Sequence, residues 1–476
     1  MQVLSVASEV YPLVKTGGLA DVVGALPGAL SAHGVTTRIL VPGYPALIKG
    51  LKKATVDHEF VDLFGGKARL LSTAARGLDL LVLDAPHLFD RPGNIYLGPD
   101  GKDWPDNHLR YGAFSLVAAD IGRGLVEGYK PDLLHLHDWQ AALAAVHVRH
   151  GGGPRTLLTV HNIAFQGIYP AATFAALGLP PQAFAIDGVE YYDQVGFLKG
   201  GLACADAIST VSPTYAQEIC TPAFGMGLDG LLRSRRTALS GIVNGIDIDV
   251  WNPAADATLA QRYDATTLAT RAVNKRALEQ RFGLETGDGI VHGVVSRLTG
   301  QKGLDVLASL TDWMVASGAR LALIGTGDAA IENAFKAAIA KHKGRIGGVF
   351  GYDEGLSHLV QGGADTMLVP SRFEPCGLTQ LYGLRYGCIP VVARTGGLAD
   401  TIIDANGAAL AAGVATGLQF SPVDFDSLQA VLARAAYLHA DSKTWVGIQK
   451  CAMAQDVSWS GSALSYADLY RSILQA

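Results

Sequence analysis

Short apolar runs rich in Val, Ile and Leu alternate with longer Ala- and Leu-rich segments of helical period along the chain. The runs are VTTRILV (35–41), LDLLVL (78–83), DLLHL (132–136), TLLTV (156–160), IVHGVVS (290–296), RLALI (320–324), TMLV (366–369) and IPVVA (389–393). Because they lack a polar alternate face, they predict strands buried on both sides, as in parallel sheets. Their alternation with helical segments such as 329–341 predicts βαβ units.

The length of the chain predicts more than one domain. It has 476 residues, of which 49% are hydrophobic, and a chain of this length is longer than a single hydrophobic core usually stabilises. An apolar run ends in Asn244-Gly245, a turn signal, and a polar stretch follows before the next run. We therefore predict two doubly wound α/β domains, over 1–244 and 245–456.

Charge and cysteine content argue against several classes of partner. The net charge is −5 and no block of Lys and Arg stands out, so a nucleic-acid partner is not expected. The five cysteines form no CxxC pair, which argues against a disulfide framework and a Cys-type zinc site. The opening MQVLSVASEV does not resemble a secretory signal, and no apolar stretch is long enough to span a bilayer. We expect a cytoplasmic protein without a membrane partner.

The hexapeptide TGGLAD occurs at 16–21, after Lys15, and again at 395–400, after Arg394. Each copy lies near a predicted strand and opens a helical pattern. Paired glycines let a ligand approach the backbone amides, and the first turn of a helix attracts anions. Either copy alone is explained as a tight strand-to-helix turn, since short glycine motifs are weak evidence. Together, on facing domains, they predict one shared cleft for a phosphate-bearing ligand.

Two cations lie in SRLTGQKG (296–303), a loop at the carboxyl end of a predicted strand. Ligands of open α/β sheets bind at that end of the strands. Arg297, as a planar fork, and Lys302, as a point charge, suit a diphosphate. The alternative is a solvated loop with two ordinary surface charges.

The stretch PSRFEPCGLTQ (370–380) also follows an apolar run and places Glu374 among Phe, Pro and Cys. Such a carboxylate either caps the next helix or holds a substrate, and this stretch alone does not decide between the two. Cys376 is a nucleophile candidate. It lacks an evident His partner in the sequence, and a buried structural cysteine is commoner.

In the first half, HLHDWQ (135–140) and HNIAFQG (161–167) each end a predicted strand. His135 and His137 share one face of a strand, but no third metal ligand is evident, and core or capping histidines are commoner. Polar groups beside aromatic rings are more typical of a sugar site. The residues in question are Asp138, Trp139, His161, Asn162 and Gln166.

These motifs resemble, in the same order along the chain, those of the bacterial glycogen synthases and plant starch synthases. The matching stretches are KTGGLAD (15–21), HDWQ (137–140), HN (161–162), SRL through KG (296–303) and EPCGL (374–378). The match extends to about residue 400. The resemblance implies a glycosyltransferase B fold, an α/β fold of two doubly wound Rossmann-like domains with a deep interdomain cleft. Domain 1–244 would be the acceptor side and domain 245–456 the nucleotide-sugar side.

The resemblance also implies an activity. The enzyme would transfer glucose from ADP-glucose to the non-reducing 4-OH of an α-1,4-glucan such as glycogen, with retention at the anomeric carbon. It would need no metal and no cofactor. Retention requires either a covalent sugar–enzyme intermediate, for which Glu374 is the obvious nucleophile, or attack by the acceptor on the face that the leaving group occupies. The sequence leaves both open, and we favour same-face attack.

Residue roles follow from the same resemblance. The expected catalytic residues are Arg297 and Lys302 at the diphosphate, Glu374 at the donor glucose and His161 at the reacting sugar. The expected substrate-binding residues are Lys15, Gly18, Asp138, Asn162, Tyr352, Cys376, Gly377, Thr395, Gly396, Gly397 and Leu398. Residues 396–398 would present backbone amides to phosphate. The last segment, 457–476, would form a helix that returns to the first domain, with Trp459, Tyr466 and Tyr470 as apolar anchors.

Three other functions fit parts of the sequence. A related retaining transferase that uses UDP-glucose is the nearest, because a base platform such as Tyr352 does not distinguish purine from pyrimidine. A dinucleotide-dependent oxidoreductase is disfavoured, since the GxGxxA pattern at 325–330 lacks a clear acidic ribose partner. A glucan-binding protein without activity would not need Arg297, Lys302 and two glycine loops.

Overall fold

The predicted strands form one large sheet in each of two units, into which residues 1–475, the part of the chain that the structure describes, divide. The structure is a computed structural model. Unit 1 comprises Met1–Asn244 and the segment from Trp459 onward, and unit 2 comprises Gly245–Ser458.

Unit 1 is built on a nine-stranded sheet of order β12-β11-β7-β6-β1-β2-β5-β4-β3 and a three-stranded antiparallel sheet of order β8-β10-β9. Its strands are β1 (Gln2–Val6), β2 (Thr36–Pro42), β3 (Thr55–Phe60), β4 (Ala68–Ala75), β5 (Leu78–Asp84), β6 (Leu133–His137), β7 (Arg155–Val160), β8 (Ile168–Pro170), β9 (Glu190–Tyr191), β10 (Gln194–Gly196), β11 (Ala207–Thr210) and β12 (Leu239–Gly241).

The helices of unit 1 connect these strands. Before the chain leaves the unit they are α1 (Gly18–Ser31), α2 (Pro45–Gly50), α3 (Pro86–Phe89), α4 (Asn107–Arg123), α5 (Asp138–Gly151), α6 (Phe197–Cys204), α7 (Pro213–Glu218) and α8 (Asp229–Ser234), with 3-10 turns at Ala171–Ala176, Pro181–Ala183 and Arg236–Ala238. Strand β6 is buried along its whole length, as a strand covered by helices on both faces should be. The large sheet is parallel from β12 through β5. At its edge, β4 pairs antiparallel with β5, and β3 pairs antiparallel with β4.

Unit 2 contains a six-stranded parallel sheet of order β15-β14-β13-β16-β17-β18. Its strands are β13 (Val291–Val295), β14 (Arg320–Ile324), β15 (Ile346–Val349), β16 (Thr366–Val369), β17 (Ile389–Ala393) and β18 (Leu418–Phe420). Its helices are α9 (Arg271–Phe282), α10 (Leu304–Ser309), α11 (Thr311–Ala316), α12 (Ala329–Lys341), α13 (Glu354–Gly363), α14 (Thr379–Tyr386), α15 (Gly396–Thr401), α16 (Gly407–Ala412), α17 (Phe425–Ala440) and α18 (Ser442–Met453), with 3-10 turns at Leu268–Thr270 and Gly300–Lys302.

The chain then returns to unit 1 in a last helix, α19 (Ser460–Gln475). Its aromatic residues Tyr466 and Tyr470, and Trp459 just before it, are buried in a cluster that includes Val3 and Leu133 of the large sheet. The Tyr470 hydroxyl also lies 2.8 Å from His135 Nδ1.

The parallel strands bring the sequence motifs to common sheet edges. In unit 1, β7, β6 and β1 are neighbours, so the loops after them open at the same edge. In unit 2 the same holds for β13, β16 and β17. Carboxyl ends of parallel strands are where such sheets bind ligands. No helix within residues 1–475 is both long and apolar enough to cross a membrane.

Candidate functional site

The first glycine loop, between β1 and α1, is held by a buried carboxylate. Glu9 accepts hydrogen bonds from the backbone amide of Thr16, from its hydroxyl at 2.6 Å and from the Gly17 amide at 3.2 Å. The Tyr96 hydroxyl lies 2.5 Å from the same carboxylate. Glu9 is 3% exposed, so the loop is fixed from the protein side. Sequence reasoning missed Glu9, because its partners are set by the fold and not by a motif.

The predicted ligand contacts of this loop lie on its open side. Lys15 and Gly18 are exposed, and the Lys15 ammonium forms an ion pair with Asp21 at 2.7 Å. A Cβ added at Gly17 would meet no atom within 4 Å. The backbone at Gly17 is therefore open to an approaching group, as a ligand-binding glycine requires.

The ends of β6 and β7 are joined by the side chain of Asp138. Asp138 begins α5 with a positive φ of 56°, which is uncommon for a residue other than glycine. Its carboxylate accepts hydrogen bonds from the amides of His161, at 2.6 Å, and Asn162, at 3.4 Å. The predicted residues Asp138, His161 and Asn162 are thus brought together. The Asp138 carboxylate holds the backbone of His161 and Asn162 in place through hydrogen bonds.

Burial raises the pKa of Asp138 to about 7, although the two backbone hydrogen bonds oppose this shift. The folded protein therefore holds this proton more tightly than the unfolded chain, whose carboxyl titrates near 4. It follows that this carboxyl lowers the free energy of unfolding progressively as pH rises from about 4 to about 7.

We compare the free energy of unfolding of Asp138→Asn with that of the native protein at the same pH. This difference should shift in favour of the variant by roughly 2–3 kcal/mol from pH 5 to pH 8. The amide cannot ionise but still offers an oxygen to the two backbone N–H groups. Thermal unfolding of both proteins at the two pH values measures the difference. Exposed Asp100→Asn is the control. A stability difference that is the same at both pH values would contradict a raised pKa.

His161 is buried and paired with a second histidine. Its Nε2 lies 2.9 Å from His137 Nδ1, and the rings are 5.2 Å apart between centroids. Burial lowers the pKa of His161 to about 3. His161 is therefore a neutral hydrogen-bonding group at physiological pH.

In unit 2, the predicted catalytic residues Lys302 and Glu374 form an ion pair. The ammonium lies 2.6 Å from the carboxylate, and the Ser371 hydroxyl donates to the same oxygen at 2.8 Å. Both side chains are largely buried. Together with Ser296 and Gly377 they line a small cavity of about 110 Å³. The motifs alone did not reveal this pairing, because 72 residues separate the partners.

The pairing of Lys302 with Glu374 is maintained by contacts between their two loops. The Arg372 amide donates to the Gln301 carbonyl at 2.9 Å. The Arg372 guanidinium donates to the Gly300 carbonyl and, as a fork, to both oxygens of Asp305 at 2.6 and 2.7 Å. Gln301 in turn donates to the Phe373 carbonyl at 3.2 Å. The loop after β16 is thereby fixed to the loop after β13.

Two predicted residues of unit 2 are exposed. Arg297 follows β13, and within residues 1–475 its side chain has no hydrogen bond or ion pair. Tyr352 is 75% exposed, and its hydroxyl donates to Glu354 at 3.0 Å. Both side chains are accessible to a ligand of unit 2.

The second glycine loop packs on the backbone of the Glu374 loop. Gly396 has a φ of 42°, and a Cβ there would collide with the Glu374 carbonyl. A Cβ at Gly397 would collide with the backbone of Cys376. Cys376 is itself buried, as expected for a structural cysteine. These glycines are required by contact between two loops, whereas the first loop leaves its glycine open.

The amides of the second loop already have acceptors. Gly397 N–H donates to the Pro375 carbonyl at 3.1 Å, and Leu398 N–H donates to the backbone carbonyl of Thr395, a buried residue, at 3.1 Å. A phosphate would have to compete with these bonds. The neighbouring Gly377 has a φ of 75° and directs the chain into α14.

Among residues 1–475, no group of three or more His, Cys, Asp or Glu side chains is arranged to hold a metal ion. The five cysteines are all free thiols.

Comparison with known proteins extends these observations over the whole chain. Residues 2–234 match the family described as "Starch synthase catalytic domain", and residues 276–436 match "Glycosyl transferases group 1". A glycogen synthase of Mesorhizobium japonicum is 58% identical over 476 residues, covering 100% of this chain and 99% of that protein. Glycogen synthase 1 of Rhizobium meliloti is 57% identical over 477 residues, with the same coverage.

Solved structures show the same likeness. The catalytic domain of starch synthase IV from Arabidopsis thaliana, bound to ADP and acarbose, gives a TM-score of 0.89 at 30% identity, covering 100% of this chain and 99% of that one. Sucrose-phosphate synthase from Thermosynechococcus elongatus, at 16% identity and with the same coverage, gives 0.62 and shows a likeness of fold alone.

Two Rossmann-like units with polar loops at the carboxyl ends of their parallel strands define a glycosyltransferase of the GT-B fold. The chain belongs to the glycogen synthase and starch synthase family, and it is an enzyme. The fold class and family that the sequence predicts are therefore confirmed.

Proposed function

We propose that the enzyme transfers glucose from ADP-glucose to the non-reducing 4-OH of an α-1,4-glucan, with retention and release of ADP. The observation that carries this proposal is full-length identity of 55–58% to proteins named glycogen synthase. The ADP and acarbose of the Arabidopsis relative support a nucleotide and an oligosaccharide as ligands.

The diphosphate is assigned to cations of unit 2. When the bond between the glucose C1 and the diphosphate oxygen breaks, negative charge develops on the phosphate. A preorganised donor at such a charge contributes on the order of 3 kcal/mol. We assign this role to Lys302, already fixed by Glu374, and to the accessible Arg297, with Lys15 as a further contact. The backbone of 395–398 would contribute only if the amides of Gly397 and Leu398 exchange their present carbonyl acceptors for the phosphate.

The reacting glucose is assigned to Glu374 and His161. The carboxylate would hold sugar hydroxyls, and the neutral imidazole would donate to or accept from the sugar. In same-face attack the acceptor O4 bonds to C1 as the diphosphate leaves, and the 4-OH proton passes to the departing phosphate oxygen. Asp138 would maintain the position of His161 and Asn162, which fits its hydrogen bonds to their amides.

The remaining assignments divide between the two parts of the chain. We assign the acceptor to residues 1–244 and the nucleotide sugar to 245–456, with 457–476 returning to the first. Tyr352 is the candidate platform for the base, supported by its exposure. Residues 376 and 377 would border the sugar, since Gly377 lines the cavity beside Glu374. The free thiols support a cytoplasmic location, where cysteines stay reduced.

The proposal is tested by incubating the enzyme with glycogen and labelled ADP-glucose or UDP-glucose, with and without EDTA. We expect chain elongation from ADP-glucose, unchanged by EDTA. Elongation from UDP-glucose but not from ADP-glucose would identify the enzyme as the related transferase that uses UDP-glucose. Loss of activity with EDTA would overturn the assignment of the diphosphate to protein cations. Binding of glycogen without elongation from either donor would overturn the activity itself.

A further inference from the structure

A chain of three side chains crosses unit 1 and ends at His161. Ser5 lies on β1, His137 ends β6, and His161 follows β7, so the three come from neighbouring strands. Ser5 Oγ lies 3.1 Å from His137 Nε2, and His137 Nδ1 lies 2.9 Å from His161 Nε2. All three residues are buried.

Both imidazoles are neutral, because burial lowers the pKa of His161 to about 3 and also lowers that of His137. Each ring then has one N–H and one bare nitrogen. Their mutual hydrogen bond has two arrangements. Either His137 Nδ1–H donates to His161, or His161 Nε2–H donates to His137.

The Ser5 hydroxyl decides in favour of the first arrangement, in which His137 Nδ1–H donates to His161. Within residues 1–475 the Ser5 hydroxyl has no hydrogen-bond partner other than His137 Nε2. If His137 donated to Ser5, the hydroxyl proton would be left buried without an acceptor, which is costly. If Ser5 donates to Nε2, the proton of His137 lies on Nδ1 and is donated to His161. His161 must then hold its own proton on Nδ1, the atom that is buried without a partner in the described chain.

A neighbouring histidine maintains this arrangement without competing for its protons. The His135 ring lies 4.1 Å from the His137 ring. Its two nitrogens are engaged elsewhere, by the Tyr470 hydroxyl at 2.8 Å and the Thr159 hydroxyl at 2.6 Å. His135 therefore packs on His137 but does not bond to it.

We propose that Ser5 and His137 are positioning residues that hold His161 as its Nδ1–H tautomer, so that His161 presents a hydrogen-bond donor to a sugar oxygen. The bond made by one ring nitrogen sets the state of the other. This inference rests on the proposed placement of His161 at the sugar. Without the Ser5 hydroxyl, either tautomer of His161 can form. In the Nε2–H tautomer, the bare Nδ1 would face the sugar oxygen and could not donate to it.

The tautomer is measured first, by nitrogen NMR of the full chain carrying ring-labelled histidine, with His161→Asn to identify the signal. We expect a protonated Nδ1 and a bare Nε2 on His161. Ser5→Ala should give a mixture of tautomers. It should lower kcat about fivefold to tenfold, the effect of one hydrogen bond, with little change in KM for ADP-glucose.

Conservative variants separate positioning from general damage. Ser5→Thr keeps the hydroxyl and should restore the Nδ1–H tautomer and kcat. His137→Asn keeps an amide donor near the place of Nδ1 and should retain more activity than His137→Ala. A proton on His161 Nε2 in the native protein would overturn the proposal, as would a drop in kcat in Ser5→Ala with the tautomer unchanged. The NMR measurement needs no substrate, so an enzyme with the expected tautomer but no glucosyl transfer would overturn the proposed function alone.

Discussion

Replacing Lys302 with alanine is expected to lower kcat about 10²–10³-fold, with little change in KM for glycogen. The departing diphosphate would lose an ammonium group that is already oriented. Glu374 would be left largely buried with Ser371 as its remaining partner, so the variant should also unfold at a lower temperature. Initial rates over a range of glycogen at saturating ADP-glucose give kcat and KM for glycogen, and thermal unfolding gives the change in stability.

Arg297→Ala and Lys341→Ala serve as comparisons. Arg297 is exposed and without a protein partner in the described chain, so its removal should lower kcat to a similar degree and leave thermal stability unchanged. Lys341 pairs with Asp312 at an exposed position, and its removal should change neither. Unchanged turnover in Lys302→Ala or in Arg297→Ala would reject the assignment of that residue to the diphosphate.

Glu374→Gln is expected to lower kcat about 10²-fold or more, because the Lys302 ammonium would lose the carboxylate that orients it toward the departing diphosphate. The amide has the shape of the carboxylate but not its charge. It would leave Lys302 unpaired and would hold the sugar hydroxyls less well. The steady-state rates and the dissociation constant of ADP, measured by calorimetry, separate a loss of turnover from a loss of nucleotide binding.

Same-face attack adds an expectation for Glu374 that is independent of rate. The native enzyme incubated with a 2-fluoro analogue of ADP-glucose, without acceptor, should keep its unmodified mass, since no covalent sugar–enzyme bond forms. Glu374→Gln under the same conditions is the matched control. A glucosyl adduct on Glu374 of the native protein would establish a covalent intermediate and refute our preference.

The parts of the fold that local pattern specifies were predictable from sequence. Strands at 320–324, 366–369 and 389–393 and the helix at 329–341 lie where the sequence predicts them. The strands are short apolar runs that are buried along their length, and the helix repeats its buried residues Ile331, Phe335 and Ala338 with helical period. In such segments the hydrophobic pattern and the tertiary environment favour the same structure.

The parts that depend on distant partners were not predictable. Strands β3 and β4 pair antiparallel at the edge of a sheet that the sequence suggested was parallel, and their short mixed patterns contain no sign of it. The role of Glu9 depends on Thr16, Gly17 and Tyr96 converging on one carboxylate. Periodicity and motif spacing do not describe such convergence, because it is produced by the packing of separate loops.

The return of the chain to unit 1 after Ser458 affects how the protein is made. Trp459, Tyr466 and Tyr470 leave the ribosome after the whole of unit 2, so the nascent first unit exposes the apolar surface around Val3 and Leu133 until translation has passed through the second. Unit 2 is continuous in sequence and has all its residues available earlier. Co-translational folding can therefore finish in the second unit first, while the earlier-made part remains a target for chaperones.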